Sequence, residues 1–463
     1  MIKDSMLLLR HTGNAGGFRI RACVGQRNAV HTAFSPLLAW LESRGETEAL
    51  TSLTIGNTNQ GRALLSIRHI KRGEQVLRVS RELGFLMQMI TPNRLPSCVE
   101  ESLSEDVNEW SRLALFQLLH KHAGKASPWE PYIRCLPPLR GLQNTVFWRD
   151  EELELLRQSN VYDQTEHRKT LISNQFDLVQ AVVNKYPELF GETVTLESFK
   201  HAYCVASSRS WGVEALGSIT MVPFVDMFNH DSSARALLAY YEEEGYAEVV
   251  ADKDYNQGSQ VVITYGTLPN SSLALDFGFT LPDNPHDEVQ IWMEAPSGDP
   301  LRAEKLKLLR DHGIATDPFC DGTESGGAWF GLREISSPAA RGKGIPRALR
   351  TFVRVISAST TKELEAMAED AKRRQGRLAQ RPLKDGKEAR ALKLLLDNIE
   401  QCVSSHRSAL KKVLKAQDLP QIQAERARMA GHVLDGELRV LRSVGAWLRP
   451  RAEGGGYESL GLA

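Results

Sequence analysis

The chain has 463 residues, of which 42% are hydrophobic and 25% charged, and its 57 basic side chains balance its 57 acidic ones. This composition is typical of an ordinary soluble globular protein, and the length suffices for two or three domains. No stretch approaches the roughly 18 apolar residues that span a bilayer, and the run Met6 to Leu9 is too short for a secretory signal. We therefore expect neither a membrane-spanning nor a secreted protein.

The six cysteines are scattered along the chain. None belongs to a Cys-x-x-Cys pair or has a close histidine partner: Cys23, Cys98, Cys135, Cys204, Cys320 and Cys402. This spacing argues against a structural zinc site and against a disulfide framework. We predict no bound metal and a reducing intracellular compartment.

The balanced net charge hides an asymmetry between the two ends of the chain. Residues 1–300 carry 27 basic and 37 acidic side chains, whereas residues 301–463 carry 30 basic and 20 acidic ones. Two lobes with solvated faces would explain this, and so would a basic C-terminal lobe that steers an acidic partner. Lys372, Arg373 and Arg374 form one candidate docking cluster. No nucleic-acid motif accompanies the charge, so we expect no nucleic-acid partner.

The N-terminal part combines a leader, one helix and two β-rich runs. The leader, residues 1–35, carries five basic residues and one acid, which suits either an organellar transit peptide or a flexible cytosolic tail. An apolar stripe predicts a helix from Phe34 to Arg44. The runs Leu64–Ile67 and Gln75–Val79 predict two strands that form a hairpin through the turn at 71–74.

Helical spacing dominates the next segment of the chain. Apolar residues recur every three or four positions around 113–120 and 176–183, and together they predict a helical insertion at about residues 84–205.

Strand signals return after Ile219. The runs 237–241, 247–251 and 260–265 predict a β-meander.

Beyond Leu301 the chain is again predicted to be helical, with two amphipathic faces around 392–403 and 433–441. The charged residues 372–390 are predicted to be exposed. The glycine-rich tail, residues 451–463, is predicted to be disordered.

Three short segments carry the residues best suited to chemistry: Ser207-Ser208-Arg209, Asp226 to His230, and Tyr265-Gly266 followed by Asn270 and Asp276 to Phe279. In isolation, Asn229-His230 is explained by a strand end whose side chains cap backbone groups. A metal-dependent phosphohydrolase would need His230 on a helix, which the preceding Pro223 disfavours. A Rossmann-type nucleotide site is disfavoured because no Gly-x-Gly-x-x-Gly follows a strand.

Taken together, the segments resemble the plant Rubisco large-subunit lysine methyltransferase branch of the SET-domain family. The resemblance begins at about residue 36 and rests on motifs in the family's order: Gly61-Arg62-Ala63-Leu64-Leu65 with Ile70, Gly73-Glu74 and Val79, Ser127-x-Trp129-x-Pro131-Tyr132-Ile133 with Leu136-Pro137, Asp226-x-x-Asn229-His230, and Tyr265-Gly266-x-x-x-Asn270. It implies an α+β fold. A SET-type β-fold with the helical insertion would occupy residues 36–300, and an all-α C-terminal substrate-binding domain residues 301–450.

The resemblance also implies a binding site for S-adenosylmethionine. The backbone from Ala63 to Leu65 is expected to line the cofactor pocket, and Asn229 and His230 to hold the adenine end. Asp226 is expected to fix that loop. Arg209 is expected to meet the cofactor carboxylate, because a guanidinium fork suits a planar anion.

Tyr265 is implied as the catalytic residue, at the point where the methyl group leaves sulfur and meets the target nitrogen. Phe277 and Phe279 are expected to line the substrate channel. Phe277 stands where family members often have a tyrosine, which leaves the degree of methylation open.

The predicted function is therefore S-adenosylmethionine-dependent lysine N-methylation of a non-histone protein. Methylation of a histidine side chain is one alternative, and a catalytically silent SET-like module that only binds proteins is another. We expect a monomer whose partner is a protein with an acidic surface. The expected location is the chloroplast if the leader is a transit peptide, and otherwise the cytoplasm or nucleus.

Overall fold

The computed structural model describes residues 34–43, 51–58, 61–80, 91–191, 193–213, 218–241, 246–314, 317–318, 324–337, 343–416 and 422–453. The predicted leader lies outside these residues except for its last two positions, and the predicted disordered tail lies outside them from residue 454 onward. Within the described ranges, no helix has the length and apolarity needed to cross a membrane.

The chain divides into two compact units. The first comprises the described residues up to Val146 together with Glu166–Leu268 and Asp276–Gly278. The second comprises Phe147–Thr165, Pro269–Leu275 and the described residues from Phe279 onward.

The strands are short in the first unit and longer in the second. In chain order they are β1 (Leu53–Thr58), β2 (Gly61–Ser66), β3 (Gln75–Ser80), β4 (Ser210–Val213), β5 (Ser218–Met221), β6 (Asn229–His230), β7 (Leu238–Tyr241), β8 (Tyr246–Val250), β9 (Val262–Ile263), β10 (Glu288–Glu294), β11 (Asp317–Pro318) and β12 (Glu324–Arg333).

The α-helices lie between and after these strands. They are α1 (Ser35–Ser43), α2 (Ser97–Glu100), α3 (Glu109–Ala123), α4 (Glu130–Ile133), α5 (Asp150–Leu153), α6 (Val161–Lys185), α7 (Pro187–Phe190), α8 (Leu196–Arg209), α9 (Asn270–Ser272), α10 (Arg302–Asp311), α11 (Arg347–Ile356), α12 (Thr361–Arg373), α13 (Lys387–Ala416) and α14 (Ala424–Ala452). Short 3₁₀ turns include Val225–Met227, and a π-helical turn covers Leu273–Phe277.

The helices predicted in the first unit are confirmed by α1, α3 and α6. The predicted hairpin of the runs 64–67 and 75–79 is wrong, although both strands exist. β2 pairs with β1, whereas β3 pairs with β8. The reason is that the segment between them is held elsewhere, since Ile70 exchanges both backbone hydrogen bonds with Tyr255.

The predicted β-meander is only partly correct. β7 and β8 pair antiparallel, but the run 260–265 does not continue their sheet. Its two-residue strand β9 pairs in parallel with β6, so Asn229 lies opposite Val262 and His230 opposite Ile263. Non-local parallel pairing of this kind leaves no local sequence signal.

The second unit confirms the predicted helical C-terminus, because α13 and α14 are long helices whose apolar faces are buried. The all-α description is incomplete, however, since β10, β12 and β11 form an antiparallel sheet. β12 contains Gly326, Gly327 and Gly331, a composition that is unfavourable in strands. Gly327 is required by packing, because an added Cβ would lie 2.4 Å from the Trp292 ring.

Part of the charged segment 372–390 is buried rather than exposed. Arg354 on α11 forms a two-pronged ion pair with Glu388 at the start of α13, with nitrogen–oxygen distances of 2.8 and 2.6 Å. The two side chains are 5% and 4% exposed. Arg354 Nη1 also donates to the Ala379 carbonyl, and Glu388 accepts from the Leu383 backbone. The pair therefore holds this charged loop against the helices.

Arg354→Met removes one partner of this pair and leaves the Glu388 carboxylate buried without its cation. We expect the free energy of unfolding, measured by urea denaturation, to fall by about 3–5 kcal/mol. The matched control is Lys393→Met, which breaks a pair with Asp397 whose side chains are both 56% exposed. This control should cost less than about 1 kcal/mol. An equal fall in the free energy of unfolding of the two variants would contradict a stabilising role for the buried Arg354–Glu388 pair.

Candidate functional site

Arg209 lies at the junction between a helix and a strand. Helix α8 begins at a capping box in which Thr195 Oγ1 accepts from the Ser198 backbone, and it ends at Arg209. A cation is favourable in the last helical turn because the C-terminal end of the helix dipole is negative. The chain then continues directly into β4, which places Trp211 two residues after Arg209.

A strained turn positions Asp226. Phe224 has a φ of 73°, a conformation that L-residues rarely adopt, and its side chain is 2% exposed. Such a backbone costs about 1–3 kcal/mol and persists only where the surrounding packing enforces it. The turn leads into the 3₁₀ segment Val225–Met227, in which the Asp226 side chain is fully buried.

The Asp226 carboxylate is the centre of a buried polar network. Arg209 Nη1 donates to the Asp226 backbone carbonyl at 2.7 Å and to its Oδ2 at 3.2 Å. The Tyr132 hydroxyl donates to the same Oδ2 at 2.8 Å. Burial first and Asp226 second raise the pKa of Tyr132 well above its usual value, so this phenol remains a hydrogen-bond donor.

A second guanidinium gives the network an excess of positive charge. Arg62 on β2 donates to the Cys135 carbonyl, and both burial and the nearby Arg209 lower its pKa. Burial, the largest single influence, would lower the pKa of Arg209, but Asp226 together with Tyr132 and Tyr265 outweighs it and raises that pKa. Two guanidinium groups thus face one carboxylate. Among the described residues, Arg209 Nε and Asp226 Oδ1 are buried without a hydrogen-bond partner.

The side chains of Asn229 and His230 connect the network to its neighbours. Asn229 Nδ2 donates to the Arg62 carbonyl at 2.9 Å, and the Tyr265 backbone N–H donates to His230 Nδ1 at 3.1 Å. The His230 ring stacks on Tyr265, with ring centroids 5.2 Å apart. These contacts fix β2 and Tyr265 relative to β6.

Tyr265 lies among three other rings. In addition to His230, the Trp211 ring meets it edge-on at 6.1 Å with an interplanar angle of 89°, and the Phe277 ring lies at 5.2 Å. The Tyr265 hydroxyl donates to the Phe228 carbonyl. Burial raises the pKa of Tyr265 to about 12, although Arg209 opposes the rise.

Phe277 is held by the residues on either side of it. Asp276 forms an ion pair with Arg168 on α6 at 2.9 Å, and burial raises the pKa of Asp276 even though Arg168 opposes this. Gly278 has a φ of 75°, and an added Cβ would lie 2.7 Å from the Asn144 backbone nitrogen. Phe277 is therefore placed by an ion pair and by a position that requires glycine.

The structure thus brings six of the predicted site residues together in the first unit: Arg209, Asp226, Asn229, His230, Tyr265 and Phe277. Ala63 is fully buried on β2, next to the Arg62 carbonyl that Asn229 binds. Leu65 lies further along β2, where it pairs with Thr54 and bridges Gln260. Phe279 and Asn270 belong to the second unit, in which the Phe279 backbone donates to the Leu273 carbonyl.

Sequence reasoning assigned no role to Arg62, Tyr132 or Trp211. Arg62 and Tyr132 both belong to the motifs that carry the family resemblance. The sequence could not show that Tyr132 contacts Asp226, because the two residues are 94 positions apart. Trp211 lies two positions after Arg209, the last residue of the Ser207-Ser208-Arg209 segment. Its indole Nε1 is buried and, within the described part of the chain, has no hydrogen-bond partner.

Tyr132→Phe removes the hydroxyl that donates to Asp226 and leaves a buried carboxylate oxygen with one partner fewer. We expect the free energy of unfolding to fall by about 1–3 kcal/mol. The control is Tyr186→Phe, whose hydroxyl bonds the Cys98 carbonyl near the surface. The free energy of unfolding of that variant should stay within about 0.5 kcal/mol of the parent value. Chemical denaturation measures both, and an unchanged Tyr132→Phe protein would contradict the network.

Two family models match the chain in succession. The SET domain model matches residues 61–266, and the Rubisco LSMT substrate-binding model matches residues 296–441. The first range contains every site residue described above except Phe277, Asn270 and Phe279.

Two curated plant relatives are similar over most of the chain. The chloroplastic Rubisco large-subunit N-methyltransferase of Pisum sativum is 26% identical over 312 residues, which are 65% of this chain and 62% of the relative. The chloroplastic fructose-bisphosphate aldolase-lysine N-methyltransferase of Arabidopsis thaliana is 25% identical, over 61% of this chain and 59% of the relative. The chain thus spans less than two thirds of the length of these relatives. The actin-histidine N-methyltransferase of Danio rerio is 27% identical over 61% of this chain and 48% of its own length.

A solved structure of Rubisco LSMT bound to AdoMet superposes with a TM-score of 0.69 at 20% sequence identity, and the match covers 93% of this chain and 97% of that one. This likeness establishes the shared fold. The two family models identify the chain as a SET-domain protein with a C-terminal Rubisco LSMT substrate-binding domain.

Proposed function

We propose that this chain is a protein-lysine N-methyltransferase that uses S-adenosylmethionine and acts on a non-histone protein. One observation carries the proposal. A buried cluster with more positive than negative charge, centred on Arg209 and Asp226, is linked through the β6 residues to a neutral, half-buried phenol, Tyr265.

The residues of the network fit the cofactor. Arg209 Nε is buried without a partner among the described residues, and the second guanidinium of Arg62 leaves the cluster short of one anion. A carboxylate is the group that would satisfy both, because charge-assisted bonds to guanidinium are strong and planar. Arg209 would therefore hold the methionine carboxylate. When bound, S-adenosylmethionine supplies an activated methyl group on a sulfonium.

The backbone of β2 around Ala63 and Leu65, with Asn229 and His230, is proposed to complete the cofactor pocket. The side chains of Asn229 and His230 are already used within the protein. Their backbone groups would therefore provide any contacts to the adenine end. The rings of Tyr265, Trp211 and Phe277 suit the positive sulfonium because aromatic faces attract cations.

Tyr265 is proposed to position the reacting groups rather than to accept a proton. Its pKa of about 12 keeps the phenol protonated at neutral pH, and its hydrogen is directed at the Phe228 carbonyl. The lone pairs of its oxygen stay available for weak C–H···O contacts with the methyl group. Methyl transfer is an in-line displacement, so alignment supplies most of the rate.

The target lysine must reach this site as a neutral amine. At pH 7 an ordinary lysine, with a pKa of about 10.4, must give up its proton at a cost of about 4.6 kcal/mol. An apolar channel reduces this cost because it disfavours the ammonium form. Phe277 is proposed as one wall of the channel. Phe279 is also proposed to line the channel, as the family resemblance implies.

The protein target is proposed to present an acidic surface, because residues 301–463 carry 30 basic against 20 acidic side chains. We also propose that the SET domain ends and the substrate-binding domain begins at about residue 300. The protein is proposed to be a monomer. The printed names of the two plant relatives place them in the chloroplast, which supports the same location for this chain.

Histidine methylation is the second candidate. Relatives named actin-histidine N-methyltransferases, from Danio rerio and Mus musculus, are 27% and 26% identical. Identification of the modified side chain separates the two candidates.

The test is to incubate a cell lysate with the protein and S-adenosylmethionine carrying a labelled methyl group, and to identify the modified residues by mass spectrometry. The parent is expected to label lysine. Tyr265→Phe should lower the transfer rate by at least about 100-fold, because it removes one preorganised polar contact from the transition state. The thermal shift produced by S-adenosylmethionine should persist in this variant.

Tyr255→Phe is the matched control, since Tyr255 is a buried phenol that bonds Asp252 and whose pKa is also raised by burial to about 12. This control should transfer label at the parent rate. With the parent, the rate should rise as pH increases from about 7 to 10, because the target amine loses its proton in this range whereas the Tyr265 phenol, with a pKa of about 12, keeps its own. A Tyr265→Phe variant as fast as the parent would refute the proposed role.

A further inference from the structure

Two long helices of the second unit leave an open groove between them. α13 and α14 run antiparallel and approach each other closely at two glycines of α14. A Cβ added at Gly445 would lie 3.6 Å from the Ile399 side chain, and one added at Gly431 would lie 3.8 Å from the Val413 side chain. His406 and Glu437 join them below the surface at 2.9 Å. Above these contacts lies a cavity of about 690 Å³, which we call the α13–α14 groove.

The groove has a small aliphatic floor and a basic rim. Ile399 and Leu441 are fully buried beneath the floor, so its accessible aliphatic surface comes from the half-buried Val403, and small side chains such as Ser404 and Ala446 keep the groove open. Four cations line the groove against a single acid: Arg407, Lys411, Arg442 and Arg449, with Glu400. Arg449 is already paired with Glu400 at 2.8 Å.

The other three rim cations have no acidic partner within the part of the chain that the structure describes. Arg407, Lys411 and Arg442 are exposed, and none of them forms an ion pair with a described residue. The cluster at the end of α12 is different. There Arg373 pairs with Glu369 and Arg374 with Asp370, each one helical turn away. Two of the three cations at residues 372–374 are thus compensated, whereas Arg407, Lys411 and Arg442 at the groove pair with none of the described residues.

An exposed leucine extends the same face of α13. Leu414 is 64% exposed, and it follows Lys411 by three positions and Arg407 by seven, so the three side chains share one side of the helix. Aliphatic surface beside uncompensated cations matches a peptide that carries both apolar and acidic side chains. The groove residues include no aromatic ring on which a nucleic-acid base would stack.

We propose that the α13–α14 groove binds an acidic amphipathic segment of the protein target. The aliphatic side chains of the segment would cover Val403 and Leu414, and its carboxylates would meet Arg407, Lys411 and Arg442. This inference rests on the proposed function in one respect, because it takes the owner of the segment to be the methylated protein.

Fluorescence anisotropy with the full chain tests the groove directly. The probe is a labelled peptide of about sixteen residues in which glutamates and leucines alternate at helical spacing. Three comparison probes replace its glutamates by lysines, replace its leucines by serines, or are single-stranded DNA of equal charge. The groove variant combines Arg407→Glu, Lys411→Glu and Arg442→Glu. The control variant combines Lys372→Glu, Arg373→Glu and Arg374→Glu, which changes the charge equally.

The glutamate–leucine peptide is expected to bind the parent, more weakly as salt is added, and at least about tenfold more weakly to the groove variant. The control variant should bind within about twofold of the parent. Thermal unfolding confirms that both variants are folded. The proposal is overturned if the parent does not bind this peptide, if both variants lose binding equally, or if a comparison probe binds the groove as tightly.

The peptide contains no lysine or histidine, and no S-adenosylmethionine is added. Failure of methyl transfer therefore leaves this result unaffected, whereas failure of peptide binding leaves the thermal shift by S-adenosylmethionine unaffected. The two proposals can fail separately.

Discussion

The site depends on one buried carboxylate. Asp226 holds Arg209 through both its backbone carbonyl and its side chain, and Tyr132 reaches the same carboxylate oxygen from α4. Removing a partner from a buried charge costs far more than the pair contributes on balance, so such a network tolerates few alternatives. Because Arg62 adds a second cation, the arrangement is satisfied only when another anion is present. We therefore propose that this cluster favours an anionic ligand.

The aromatic side of the site has the opposite character. Tyr265, Trp211, His230 and Phe277 surround a region with little polar surface, and burial keeps the Tyr265 phenol neutral. A charged amine is disfavoured there, whereas a neutral amine and a soft cation are accepted. The protein therefore separates anchoring from reaction. In the proposed mechanism, charge pairing would hold one end of the cofactor, and aromatic surface would align the other end.

Local patterns predicted the long helices and five of the twelve described strands, and motif resemblance predicted the SET domain and the substrate-binding domain. They did not predict strand pairing, because β1, the neighbour of β2, was not recognised as a strand, β3 pairs with the distant β8, and β9 is only two residues long. Motif resemblance identified Arg209 and Tyr265 but not Tyr132, whose importance appears only when α4 packs against the Asp226 turn. A buried ion pair such as Arg354–Glu388 was missed because charged residues are ordinarily exposed.

The central claim is that Arg209 and its network recognise the carboxylate of the cofactor. Calorimetry with S-adenosylmethionine and its decarboxylated analogue, on the parent and on Arg209→Met, tests it most directly. The account predicts that the parent prefers the intact molecule by at least about tenfold, or about 1.4 kcal/mol, and that this preference disappears in Arg209→Met. A parent that binds both molecules equally, or a preference that survives the substitution, would contradict it.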